Sequence, residues 1–359
     1  MDPCLIKVNI AGVDRGFCEQ QGVADCTDLS AGWPALQDVV NAAPDGATLT
    51  LYGRCSGPIR TIGRANLTVQ GVLPEGSQAC QDGKAPLQQD LRSTVAGGCG
   101  SPDASRCELI KVTNATNIKV QYLNIVDFFN SGLQYKCSGS GAAYSNCVAR
   151  NAEEGIELDK GSGGHVALQY LVRDNAKALE GDIDGGICVH DSPGNRLEAN
   201  TVVSNREGGI LVDYDADGTV VLNNDVRMNA GNGIQVIESD KNSIETNVVQ
   251  NNSLHGILLG KAPSNAVVGN TVSSNGATAS TSTTRIRTKV IANNTVASNT
   301  ANGIRLRKSD KNIVDGGAIS GNGSGTAGEQ VVCDRPSAAN TGTNEINGVP
   351  GVALPARCM

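Results

Sequence analysis

Seven side chains able to do acid–base chemistry fall at equivalent places in a repeating pattern: Lys136, Asp159, Lys160, His190, Asp191, Asp213 and Tyr214. The register is marked by a glycine and an apolar residue at Gly132-Leu133, Gly155-Ile156, Gly186-Ile187, Gly209-Ile210, Gly233-Ile234, Gly256-Ile257 and Gly303-Ile304. The fourth residue after each glycine reads Lys136, Asp159, His190, Asp213, Ile237, Gly260 and Arg307, and the next reads Cys137, Lys160, Asp191, Tyr214, Glu238, Lys261 and Lys308. If successive repeats stack as parallel strands, these positions lie about 4.8 Å apart. At that spacing neighbouring charges shift one another's titration, and an imidazole between carboxylates is held protonated or in one tautomer. The bland alternative is a solvated charged face whose exposed ion pairs contribute little. One histidine among carboxylates and a tyrosine favours chemistry for the set as a whole.

Two reactions suit these residue types. Removing the proton α to a uronate carboxylate needs a base, an acid and a cation; His190, Tyr214, and Lys136, Lys160 or a calcium ion could supply them. Glycosidic hydrolysis needs two carboxyl groups, and Asp159 and Asp213 would sit two coils apart, roughly 9.6 Å, as inverting enzymes require. Lys136, Asp191 and Glu157 are candidate substrate contacts. The step from Gly155 to Gly186 is about eight residues longer than its neighbours, and the added loop brings Asp182 and Asp184 as further candidates. Asp213, Asp215 and Asp217 match the start of a calcium loop, but Asn224 replaces the closing glutamate, so a calcium ion competes with an acidic turn as the reading. His165 lies in a glycine-rich turn and His255 at a solvated corner, while Arg285, Arg287, Arg305, Arg307 and Lys308 read as a charged outer face.

The elements that position these residues follow from the spacing. Successive glycine pairs are 23, 31, 23, 24, 23 and 47 residues apart, the last being two repeats with a degenerate copy between them. Asn-x-Val-x-x-Asn recurs in step at Asn146–Asn151, Asn200–Asn205, Asn224–Asn229, Asn247–Asn252, Asn270–Asn275 and Asn294–Asn299. A fixed period in this range means stacked units, and each unit holds only short alternating stretches, so the units are strands. The expected fold is all-β, a single-stranded right-handed parallel β-helix of about 23-residue coils. Val and Ile columns would fill its core, Asn columns would form hydrogen-bonded ladders, and Gly and Asn would take left-handed corners. The scarcity of aromatic residues, 3% against 44 glycines, suits such a narrow interior.

A cap over residues 1–47 with a short helix at Trp33–Val40, a solenoid over 48–335 interrupted by an irregular excursion at 71–107, and a tail over 336–359 complete the expected organisation. Nine of twelve cysteines precede residue 148, and Cys333 and Cys358 flank the tail, which predicts disulfide-rich ends, an oxidising compartment and a secreted or periplasmic protein with its signal peptide removed. Cys188, alone among the repeats, reads as a packed thiol. A net charge of −7 argues against nucleic acid, and no apolar run is long enough to span a membrane.

The capping helix, the Thr48-Leu49-Thr50-Leu51 strand, Asn66-Leu67-Thr68-Val69-Gln70-Gly71 and the Asn-x-Val/Gly-Ile coils together resemble the pectate-lyase-like superfamily, in the style of NosD-like proteins and alginate C5-epimerases. The resemblance implies the β-helix over most of residues 33–335 and an oligo- or polysaccharide partner. On function it is open, because the scaffold carries lyases, epimerases, hydrolases and non-enzymatic binders. The Tyr-Gly-x-Asp-Pro-His-type motif of the epimerases is absent from this chain. The expectation is a lyase or C5-epimerase on a uronate glycan, with a hydrolase using Asp159 and Asp213, or a non-catalytic binder, as alternatives.

Overall fold

The computed structural model describes residues 43–51, 58–71, 109–128, 130–176, 185–276, 290–300 and 313–322, with shorter stretches between and beyond them. The chain divides into two compact units, Met1–Glu180 and Gly181–Met359, and each is a parallel β-solenoid. In the first unit the strands Ile156–Asp159, Val166–Leu168 and Leu171–Arg173 pair in parallel with Leu133–Lys136, Ala142–Tyr144 and Cys147–Ala149. In the second, Gly208–Asp213, Val220–Leu222 and Asp225–Arg227 pair on one side with Gly185–His190, Arg196–Glu198 and Thr201–Val203, and on the other with Ile234–Ile237, Ser243–Glu245 and Val248–Gln250. Three short strands per coil explain why no longer apolar periodicity is present in the sequence.

Alternation along each strand sends one set of side chains inward. In the second unit these are Ile210, Val212, Ile234 and Val236 from one sheet, Val221 and Ile244 from the next, and Val226 and Val249 from the third, all at most 1% exposed. Each contributes about 1.5–3 kcal/mol by burial, so this stretch of core needs no aromatic ring, whereas the first unit buries Tyr135 and Tyr170. Two asparagine ladders run beside it. One passes through Asn200, Asn224, Asn247, Asn270 and Asn294, the other through Asn205, Asn229, Asn252, Asn275, Asn299 and Asn322. In each, a side-chain amide donates to the next carboxamide oxygen, which also accepts the backbone N–H of the asparagine before it.

The corner chemistry differs from expectation. The ladder asparagines are not left-handed. The residue before each one is, and it is of any type: Ser145, Arg150, Ala199, Ser204, Asn223, Met228, Thr246 and Asn251 all have φ between 49° and 59°. The bend therefore belongs to the corner, and asparagine follows it because its amide can serve the next coil. The glycines of the Gly-Ile pairs are not left-handed either. A Cβ at Gly233 would lie 2.4 Å from Val249 Cγ1 and 2.6 Å from the Gly256 carbonyl oxygen. That crowding, and not φ, demands glycine there.

The ends are described in part. Gln37, Val40 and Asn41 have helical backbone, and Gln37 exchanges two hydrogen bonds with the backbone of Arg60 on the edge strand Ile59–Ile62. The rest of the expected helix lies outside the described residues. The excursion at 71–107 contains one described strand, Thr94–Ala96, which pairs in register with Asn124–Val126. Cys147 is disulfide-bonded, Cys137 is a free exposed thiol and Cys188 is a buried one. The remaining cysteines proposed to staple the ends, apart from those in the strands Arg54–Ser56 and Val331–Cys333, lie outside the described residues.

Candidate functional site

In the second unit the strand Gly185–His190 runs beside Gly208–Asp213, with His190 opposite Asp213. Ile187 and Val189 point into the core, both at 0% exposure, so alternation turns Cys188 and His190 outward. Leu211 and Asp213 take the same face. Asp213 is nonetheless only 9% exposed. Its Oδ1 lies 3.0 Å from His190 Nδ1. A carboxylate can only accept, so Nδ1 carries the proton and donates it, which leaves Nε2 as the basic nitrogen. The His190 side chain is 43% exposed, against 13% for that of Asp213. Burial raises the carboxyl of Asp213 above its usual range; the histidine opposes that shift and Glu238 adds to it.

After Asp213 the chain turns through a left-handed residue, Tyr214 (φ 43°), and Asp191, Glu238 and Lys261 hold the same conformation in their coils. The bend swings Tyr214 back over its neighbour, so the rings of His190 and Tyr214 lie 5.0 Å apart at 58°. Glu238 binds Lys261 in the same row, and this bond holds the ammonium above its usual range, with Tyr214 contributing less. A base with a fixed tautomer, an exposed phenol and a cation thus share one unit. Asp191 is exposed beside His190.

Asp215 and Asp217 follow Tyr214 but do not converge with Asp213. Asp217 accepts the backbone N–H of Asp240, Asp213 is bonded to His190, and among the described residues no three His, Cys, Asp or Glu side chains form a group able to hold a metal ion.

In the first unit Lys136 and Asp159 face each other in adjacent strands and form an ion pair of 2.9 Å, with Asp159 5% exposed. Lys160 follows in a left-handed corner and is exposed. Glu157 accepts from Gln134 Nε2 at 2.6 Å. Asp182, Asp184, Arg285, Arg287 and Lys308 lie outside the described residues. His165 belongs to the core: it is 3% exposed, its Nε2 meets the Ser138 carbonyl oxygen at 3.0 Å, and its ring lies 4.5 Å from that of Tyr135. Burial lowers its pKa. The cluster formed by Asn130, Ser131, Gln134 and Glu154 around Glu157 escaped sequence reading, because its members come from two corners and two strands and share no motif.

With this geometry in hand, the comparisons place the chain among known folds. The family described as periplasmic copper-binding protein (NosD) matches residues 113–285, just under half of the chain, in keeping with NosD-like repeats. No curated protein sequence matches. The A-module of mannuronan C-5 epimerase AlgE4 of Azotobacter vinelandii superposes with a TM-score of 0.58 at 12% identity, over 85% of this chain and 77% of that one. The Dettilon tailspike protein superposes with a TM-score of 0.54 at 15% identity, over 84% and 64%. At these identities the likeness concerns the fold. Among the described residues no helix is long and apolar enough to cross a membrane.

Proposed function

We propose that this protein acts outside the cytoplasm, in the periplasm or secreted, on a uronate-containing polysaccharide, as a lyase or C5-epimerase. The observation that carries the reading is the His190–Asp213–Tyr214 arrangement. Asp213 orients His190, whose Nε2 removes the proton at C5. The resulting enolate-like charge on the uronate carboxylate calls for a cation. The candidate this unit offers is Lys261, three coils along the stack and bonded to Glu238, and its long side chain would have to swing toward His190. Tyr214 then gives its proton either to the opposite face of C5 or to the departing glycosidic oxygen. The first outcome is epimerisation, the second β-elimination. A fold shared with a mannuronan C-5 epimerase supports the substrate class.

Hydrolysis by Asp159 and Asp213 is the weaker reading. Each of these carboxylates is engaged by a basic group, Lys136 or His190, so neither is free to act as the acid or base. A copper role, which the matching family's description would suggest, finds little support in the soft donors present: His165 is turned into the core, and among the described residues no three His, Cys, Asp or Glu side chains gather around the free nitrogen of His190 or elsewhere.

Polyuronates incubated with the protein in deuterium oxide test the proposal. A lyase yields ultraviolet-absorbing unsaturated ends, and an epimerase yields deuterium at C5 without cleavage. His190→Ala abolishes either signal. Binding without deuterium or unsaturation on any polyuronate would establish a non-catalytic carbohydrate binder and sink the catalytic reading.

A further inference from the structure

The first unit contains an oxygen-lined cluster that the chemistry of His190 does not use. Ser131 is fully buried, Gln134 is 4% and Asn130 6% exposed, and Glu154 and Glu157 are half-buried beside them. The Ser131 hydroxyl has one proton, yet three acceptors lie around it: Glu154 Oε2 at 2.7 Å, Glu157 Oε2 at 3.3 Å and Asn130 Oδ1 at 3.3 Å. Gln134 Nε2 donates to Glu157 Oε2 at 2.6 Å. That bond fixes the orientation of the amide, since the flipped form would set two acceptors at that distance. The Gln134 Oε1 is then left buried with no hydrogen-bond partner, which a folded protein rarely tolerates.

The buried amide carbonyl of Gln134 thus lacks a donor, and it belongs to a side chain already directed at a carboxylate. Glu154 and Glu157 have other contacts as well; Gln134 Oε1 and the crowding about Ser131 Oγ are what call for a further ligand. The geometry points to a hard divalent cation, calcium in character, held by Glu154, Glu157, Gln134 Oε1 and Ser131 Oγ. All these ligands are oxygens of the carboxylate, carbonyl and hydroxyl kinds that calcium takes, with water completing its six to eight positions. Asn130 Oδ1, which accepts the Ser131 backbone N–H at 2.6 Å, shapes the turn that presents the hydroxyl. Bound there, the ion ties the corner before Leu133–Lys136 to the strand Ile156–Asp159 of the next coil.

Calcium titration of the chelated full-length protein, followed by thermal unfolding and by terbium luminescence, is the test. The unfolding midpoint rises with the logarithm of calcium concentration, and magnesium, which demands a tighter octahedral shell, raises it less. Glu157→Gln weakens binding by on the order of 100-fold, as loss of a charged ligand should, and Gln134→Leu by roughly 10-fold. The double variant Asp215→Asn/Asp217→Asn, in the acidic turn of the second unit, titrates like the parent. Should Glu157→Gln fail to fold, Gln134→Leu decides, since it removes only a neutral oxygen. A flat titration of the parent would mean that a proton, or a basic side chain such as Lys111 beside Gln134 in the register, serves these oxygens, and would overturn the inference. So would unchanged calcium affinity in both variants.

Discussion

Replacing Asn247 by alanine tests how much the ladder contributes. Asn247 is 0% exposed. Its Nδ2 donates to the Val221 carbonyl oxygen and to Asn270 Oδ1, each at 2.9 Å, and its Oδ1 accepts the Asn224 backbone N–H and Asn224 Nδ2, again at 2.9 Å. Alanine removes all four bonds. The Asn224 backbone N–H and one of the two Nδ2 hydrogens of Asn224 lose their acceptor, the other hydrogen keeping the Leu197 carbonyl oxygen, whereas Asn270 Oδ1 keeps the Asn247 backbone N–H. A buried donor without a partner costs about 1–3 kcal/mol, so two cost roughly 2–6 kcal/mol, and a water entering the vacated space would set the lower end. We expect a loss of about 3–5 kcal/mol in equilibrium denaturant unfolding followed by circular dichroism. Thr271→Ala, an exposed position on an adjoining strand, serves as control and should change stability by no more than about 0.5 kcal/mol. Asn247→Asp should behave as badly as alanine at neutral pH, since it buries a charge and loses the bond to Val221, and should partly recover on acidification as a protonated carboxyl regains a donor. A loss below about 1 kcal/mol for Asn247→Ala, or one equal to that of Thr271→Ala, would refute the view that the ladder holds the coils together.

Four further outcomes are expected. Asp213→Asn abolishes turnover but raises the melting temperature at neutral pH: burial lifts this carboxyl above its ordinary value of 3.8, so its stabilising contribution is present below that value and lost as pH rises through the raised one; a variant that melts lower at neutral pH contradicts this. Tyr214→Phe leaves the melting curve in place, because the side chain is exposed, and slows turnover by about 10²–10⁴-fold; wild-type rates on a polyuronate would remove Tyr214 from the mechanism. Gly233→Ala destabilises by about 1–3 kcal/mol in thermal unfolding, since its Cβ meets the Gly256 carbonyl oxygen at 2.6 Å, and a neutral effect would show the coils to be more pliable than drawn. The lowered pKa of buried His165 predicts stability that is full above the ordinary imidazole value of 6.5 and lost as pH falls through the lowered one; melting temperatures that stay flat across that window would argue against it.

The solenoid was legible because its constraints repeat. A Val column, an Asn ladder and a crowded glycine each recur every 23 or 24 residues, so chance matches average out over six copies. The physical cause of two of those signals was not legible. Glycine at Gly209 and Gly233 looks like a left-handed corner but answers steric contact with the next coil, and the ladder asparagines follow the left-handed residue instead of occupying it. Both distinctions depend on distances between coils, which a single coil's sequence does not encode. The cluster at Ser131 and Gln134 was invisible for the opposite reason: Ser131 and Glu154 hold equivalent places before Gly132 and Gly155, but that combination of residue types occurs once.

The site was legible as a register and misleading as a surface. The column containing His190 and Asp213 was found by counting from the glycines, yet an outward-facing aspartate next to a charged turn reads as solvated. What buries it is the row two residues earlier on the same face. In the second unit that row is Cys188, Leu211 and Gln235, which are 4–6% exposed although they point away from the core. In the first unit the matching row is Gln134 and Glu157, polar and bonded to each other. Burial raises the carboxyl of Asp213, whereas Asp159, no more exposed, is bonded to the Lys136 ammonium. The two pairs occupy the same column of the repeat, and the basic partner sets their different roles: a lysine bonded to a carboxylate in one unit, and in the other a histidine whose tautomer is fixed and whose second nitrogen is left for chemistry.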